Sequence, residues 1–224
     1  MIPWVRLDAV QLDDGPELRL MQRGSEFSIM LGSNELMNSR QSGSEEALAR
    51  LAAERLEGRP KARMLIGGLG MGFTLRAALA SLGRSARVTV AELVPEVIAW
   101  ARGPMAEVFV GCLDDPRVSL VEDDVGKLIG EGAGLWDAIL LDVDNGPEGL
   151  TRTGNDALYS ATGLAAGFRA LTPGGVFSVW SSVPDPAFTR RLRQAGFDVD
   201  EVPVRASTRK RGARHMIWVA VRPG

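Results

Sequence analysis

Residues Met64 to Leu79, MLIGGLGMGFTLRAAL, decide the fold. An apolar run ends in glycines at alternate positions, Gly68, Gly70 and Gly72, and a helical pattern follows. A buried strand that turns sharply into a helix has this form. Glycines there let the backbone take positive φ and let a ligand approach with no Cβ in the way. A tight strand–helix turn without a ligand satisfies the same pattern, so the loop alone leaves both open.

Working outward, apolar strands and helical patterns alternate from Ala62 onward. ARMLIG is a strand and FTLRAALASLG a helix ended by Gly83. RVTVAEL is a strand and PEVIAWAR a helix, with Pro95 suited to its first turn. Val118–Val121 is a short strand, VGKLIGE a short helix and WDAILLDVD a buried strand. NDALYSATGLAAGFRAL reads as one helix closed by Pro173-Gly174-Gly175. GVFSVWSS is a strand and DPAFTRRLRQAG a helix. FDVDEVPV and HMIWVAV are two last strands that can pair antiparallel. This alternation predicts an α/β fold: a Rossmann-like, doubly wound sheet of seven strands, mostly parallel, with an antiparallel last strand.

Residues 1–43 differ. LRLMQRG, EFSIML and ELMNS are short, partly alternating and separated by turn residues, which predicts a small N-terminal β-meander. The expected division is a β segment over 1–43 and a cofactor-binding domain over 44–224. SGSEEALARLAAERLEGRP opens the second part as a helix. Ser42 or Ser44 is suited to its cap, Glu45 and Glu46 to its positive end, and Gly58 and Pro60 to its stop.

In such sheets ligands bind at the carboxyl ends of the strands. Four strands end on one rim in the glycine loop, in Glu92, in Asp123-Asp124 and in Asp142 with Asp144. Glu92 ends VTVAE about 20 residues past the loop, where a carboxylate accepts ribose hydroxyls. One of Asp123 and Asp124 suits an adenine amino group, and the other suits the N-cap of the next helix. An adenine–ribose ligand fits the set. The spacing G-x-G-x-G, followed by bulky Phe73, departs from the dinucleotide G-x-G-x-x-G. It suits a nucleoside without phosphates, such as S-adenosylmethionine. No Gly-Lys-Ser/Thr follows, which excludes a Walker loop.

The totals narrow the class. The chain has 224 residues, 45% hydrophobic and 24% charged, with formal net charge -2. No global field draws it to nucleic acid or to a membrane surface. A single cysteine (Cys112) and a single histidine (His215) predict no disulfide framework and no His/Cys metal site. No apolar run suits a membrane span and the first residues do not read as a signal peptide, so the expectation is a cytoplasmic protein. His215 and Cys112 read as structural. Trp180 suits either a pocket wall or core packing, and the basic loop Arg205–Arg214 suits a solvated hairpin tip.

At these residues the sequence resembles the spermidine synthase (aminopropyltransferase) branch of the class I S-adenosylmethionine-dependent methyltransferase superfamily. The carriers are MLIGGLGMG, VAELVPEVI, DPRVSLVEDDVGKLI, WDAILLDVDNGPEG and LYSATGLAAGFRALTPGG. The resemblance implies that decarboxylated S-adenosylmethionine gives an aminopropyl group to a small amine. It places the cofactor against Gly68, Gly70, Gly72, Glu92, Leu93, Asp123, Asp124 and Val125, with Asp124 on the adenine. It makes Asp142 the carboxylate at the attacking nitrogen and Asp144 a second acidic contact, or else a turn residue. It also implies a homodimer through the N-terminal segment.

The chain departs from that family in the acceptor half. Gly70 stands where the family carries an aspartate, Gly163-Leu164 where it carries an aromatic pair, and EFSIML near its substrate motif. Glu45 and Glu46 suit either missing acidic contacts or simple helix-end charge. Methyl transfer from S-adenosylmethionine itself, and a non-catalytic nucleoside-binding homologue, stay open beside aminopropyl transfer.

Overall fold

The computed structural model describes residues 2–12, 15–143, 147, 153–207 and 212–224. Four strands come first: β1 (Val5–Gln11), β2 (Glu17–Arg23), β3 (Glu26–Leu31) and β4 (Asn34–Asn38). They form an antiparallel meander in that order. The sequence predicts its last three strands. β1 was not foreseen, because its alternation turns Val5 and Leu7 outward as exposed residues rather than toward a core.

Helix α1 (Gly43–Glu54) leads into β5 (Arg63–Gly67), α2 (Phe73–Ser81), β6 (Arg87–Glu92), α3 (Pro95–Arg102), α4 (Ala106–Phe109) and β7 (Val118–Glu122). There follow α5 (Val125–Glu131), β8 (Trp136–Leu141), α6 (Thr153–Tyr159), α7 (Ala161–Ala170), β9 (Leu171–Ser181), α8 (Pro186–Gln194), β10 (Asp198–Arg205) and β11 (Arg214–Val221). The second sheet has seven strands in the order β10-β11-β9-β8-β5-β6-β7. Only β11 runs against its neighbours, so the expected architecture stands. Strand order reverses beside β5, which puts the glycine loop at the switch point.

Three local expectations change. Ser42 is the N-cap residue of α1, yet its hydroxyl caps no backbone N–H and donates to Glu46 Oε1 at 2.8 Å instead. The single helix expected over NDALYSATGLAAGFRAL is two, because Ser160 leaves the helical conformation and its Oγ accepts from Gly163 N, starting α7. Pro173-Gly174-Gly175 does not close that helix; it lies inside β9, and Gly175 sits too close to the Thr172 carbonyl for any Cβ, which would come within 2.8 Å.

The two sheets share one apolar cluster. Leu18, Leu20, Phe27, Ile29 and Leu31 of the meander join Leu48 and Ala52 of α1 and Met64 and Ile66 of β5. Trp100 of α3 belongs to the same cluster, and its buried indole donates to Asp8 Oδ2 of β1 at 2.7 Å. Burying a side chain such as Leu20 removes it from water at about 1.5–3 kcal/mol. The meander is therefore held over the carboxyl rim of the large sheet.

Candidate active site

Between that rim and the meander lies a cavity of about 370 Å³. Leu12, Leu18, Ile29, Leu31, Leu36 and Met37 make its apolar side. The rim supplies Gly68, Gly70, Glu92, Leu93, Asp123, Asp124, Val125 and Asp142, all expected from the sequence.

The glycine loop is shaped by its neighbours as much as by any ligand. Gly68, Gly70 and Gly72 have φ of 91°, 49° and 73°. A Cβ on Gly68 would stand 2.5 Å from the Asp142 carbonyl oxygen, and one on Gly72 2.5 Å from the Phe109 ring. Gly72 thus serves internal packing, and it is not among the cavity residues, unlike the other two. A Cβ on Gly70 would meet Met37 Sδ at 2.7 Å. The same sulfur accepts from Met71 N at 3.1 Å, so β4 is clamped onto the loop.

At one end of the cavity the carboxylates are tied down. Glu92 is 9% exposed; its Oε2 accepts from Leu69 N and its Oε1 from Val94 N, each at 2.9 Å. It holds the glycine loop to the end of β6 while facing the cavity. Asp123 Oδ1 accepts from Lys127 Nζ and from Asp124 N, both at 2.8 Å. Those bonds, that of Lys127 foremost, hold its pKa below the usual carboxylate value. Asp124 is the N-cap of α5, with Oδ1 accepting from Gly126 N at 2.7 Å. Of the two aspartates the cap is therefore Asp124. Its Oδ2 makes no hydrogen bond among the described residues.

The other end is different. Asp142 follows β8, and its Oδ2 accepts the Thr74 hydroxyl of α2 at 2.6 Å. Burial pushes its carboxyl up to about 6 against that bond. Glu45, in the first turn of α1, is pushed up to about 7, first by burial and then by the Asp142 charge. Ser44 donates to Glu45 Oε2 at 2.7 Å, and Ser44 Oγ lies 2.9 Å from His215 Nδ1. Trp180 stacks edge-on to His215 with centroids 4.8 Å apart and, at 9% exposed, serves both wall and core.

The sequence leaves Glu45 between an acidic contact and helix-end charge and reads His215 as structural; both line the cavity. Glu46 does not reach it and bonds Ser42. Glu35 and Met37 were missed, and neither belongs to any motif. Asp144 lies outside the described residues, as do Arg209, Lys210 and Arg211 of the basic loop.

Among the described residues, no lysine or arginine lines the cavity, against six carboxylates. Glu35 is neutralised by Arg40 at 3.4 Å and Asp123 by Lys127 at 2.8 Å. The field left at the Asp142–Glu45 end favours a cation or an amine that becomes one. Within the described residues, no three His, Cys, Asp or Glu side chains are grouped to hold a metal ion, and no helix is long and apolar enough to cross a membrane.

No family model matches the chain. It is similar to the polyamine aminopropyltransferase of Mycobacterium tuberculosis, 35% identical over 156 residues, which are 65% of this chain and 28% of that one. The chain thus spans less than a third of that relative's length. Two spermidine synthase crystal structures match its fold, one from Thermotoga maritima (TM-score 0.75) and one in complex with the transition state analogue AdoDATO (TM-score 0.74). Each is 21% identical, with 97% of this chain and 72% of the other covered. The chain has the spermidine synthase fold, the Rossmann-like sheet with its N-terminal meander included.

Proposed function

We propose that the chain is a transferase that moves an aminopropyl group from decarboxylated S-adenosylmethionine to a small amine. The observation that carries this is the Asp142–Glu45 pair, set beside the glycine loop in a cavity with no lining lysine or arginine among the described residues. The adenosine fits the cradle of Gly68 and Gly70, with its ribose on Glu92, its base on Leu93, Asp123, Asp124 and Val125. A donor that keeps its methionine carboxylate would set a further negative charge near the pair, which disfavours it by Coulomb repulsion in a low-dielectric site.

The chemistry follows from those positions. The sulfonium makes the adjacent carbon electrophilic. A neutral amine held by Asp142 attacks in line; the C–N bond forms as the C–S bond breaks, and the electron pair goes to sulfur, leaving a neutral thioether. The new ammonium then loses a proton to the carboxylate pair. Raised carboxyl pKa values near the working pH suit a group that must accept a proton and release it. Closing the meander over the rim supplies orientation and excludes water.

Incubation with the decarboxylated donor and a panel of amines, read by mass spectrometry, tests this: an amine heavier by one aminopropyl group is expected. Methyl transfer from S-adenosylmethionine is the second reading, favoured by Gly70 in place of the family aspartate, and a methylated amine would establish it instead. A homodimer through the exposed edge of β1, and a cytoplasmic location, complete the proposal; sedimentation velocity checks the dimer.

A further inference from the structure

The hydrogen bonds around Glu45 continue along the cavity wall. Glu45 Oε2 accepts the Ser44 hydroxyl at 2.7 Å, and Ser44 Oγ lies 2.9 Å from His215 Nδ1. Ser44 is fully buried, while His215, near the start of β11, is only partly so. The Trp180 ring fixes the imidazole edge-on. A hydroxyl donates one proton and accepts another, so rotation of the Ser44 O–H lets this chain pass a proton either way.

We infer that Glu45, Ser44 and His215 form a proton relay that leads away from Asp142 along the cavity wall to the partly exposed His215 and removes the proton lost by the attacking amine. Its use in catalysis rests on the amine-acceptor reading above; the relay itself does not. The carboxylate pair takes the proton from the new ammonium. Glu45, once protonated, donates to Ser44 Oγ as the Ser44 proton moves to the lone pair of His215 Nδ1. The end state is a Glu45 carboxylate, an intact hydroxyl and a His215 imidazolium, with charge conserved. In this relay His215 acts through Glu45, as a positioning and proton-accepting residue.

Among the described residues, the other charged groups around the relay are these. Asp142 faces Glu45 from the end of β8, with Thr74 of α2 on its carboxylate. Glu46, on the same helix, is bonded to Ser42. Glu35 of β4 is held by Arg40. Arg205 of β10 and Arg214 of β11 flank His215 at exposed positions.

His215 is the sole histidine, so long-range 1H–15N spectra report its two ring nitrogens without ambiguity. With Glu45 ionised, Ser44 donates to Glu45 and His215 must carry its proton on Nδ1. Below the Glu45 pKa of about 7, Ser44 turns to His215 and the ring proton moves to Nε2. The relay therefore predicts a tautomer switch near pH 7 in wild-type protein, before the ring itself charges, and its loss in Glu45→Gln and in Ser44→Ala. In turnover, His215→Gln keeps a partner for Ser44 but takes no proton, and lowers kcat about tenfold with the acceptor KM unchanged. One tautomer throughout in wild-type protein, a switch that survives Ser44→Ala, or a His215→Gln enzyme of undiminished kcat overturns the relay. The spectra need neither donor nor amine, so their failure is distinct from failure of aminopropyl transfer.

Discussion

The two ends of the cavity use the same side chains in opposite ways. At the β6–β7 end, Glu92, Asp123 and Asp124 each accept from backbone N–H groups, and Asp123 also pairs with Lys127. At the α1–β8 end, Asp142 and Glu45 have hydroxyl partners and no basic one among the described residues. Carboxylates pinned to amides keep their charge and their place, which suits holding neutral hydroxyls and an amino group. Carboxylates buried beside each other sit near the point of protonation, which suits proton chemistry. Burial and partners, not residue type, separate the two ends, and on the proposed function the first binds and the second reacts.

The largest break in that contrast is Asp142→Asn. It removes the proton-accepting charge and keeps the shape, so turnover with an amine should fall about 10²–10⁴-fold while calorimetry finds nucleoside binding nearly unchanged. The converse change, Glu92→Ala, strips acceptors from the Leu69 and Val94 N–H groups at a buried site. It should cost about 1–3 kcal/mol in urea unfolding and weaken nucleoside binding, with less effect on the chemical step.

A smaller effect sharpens the boundary between the ends. Gly70→Ala places a Cβ 2.7 Å from Met37 Sδ at φ 49° and should cost about 1 kcal/mol. Combining it with Met37→Ala should recover part of that loss, and a double-mutant cycle measures how much.

The last is a slope. Glu45 binds its proton more tightly folded than unfolded, its carboxyl being raised from 4.5 to about 7. Between those values the native state holds more protons, so stability falls as pH rises. Thermal unfolding of wild-type protein should lose stability across that window relative to Glu45→Gln, and the difference should level off above pH 7.

Most of the rim was legible in the sequence. Gly68, Gly70, Glu92, Asp124 and Asp142 each follow a strand at a recognisable spacing, so one-dimensional order places them on one edge. Gly72 was legible as a glycine but not as a partner for Phe109, since nothing local shows which ring will lie against it. Glu45 and Glu46 share one helical turn, and only tertiary packing decides which faces the cavity. His215 meets Ser44 across 171 residues, through the antiparallel return of β11. Met37 reaches Gly70 because the meander folds back over the rim, a contact between regions that share no motif.

The direct measurement is calorimetric titration of the chain with S-adenosylmethionine and with its decarboxylated form. The acidic, lysine- and arginine-free lining of the described cavity predicts tighter binding of the decarboxylated form, and a further gain when an amine is present. Clear preference for the form that keeps its carboxylate would contradict aminopropyl transfer and leave methyl transfer in its place.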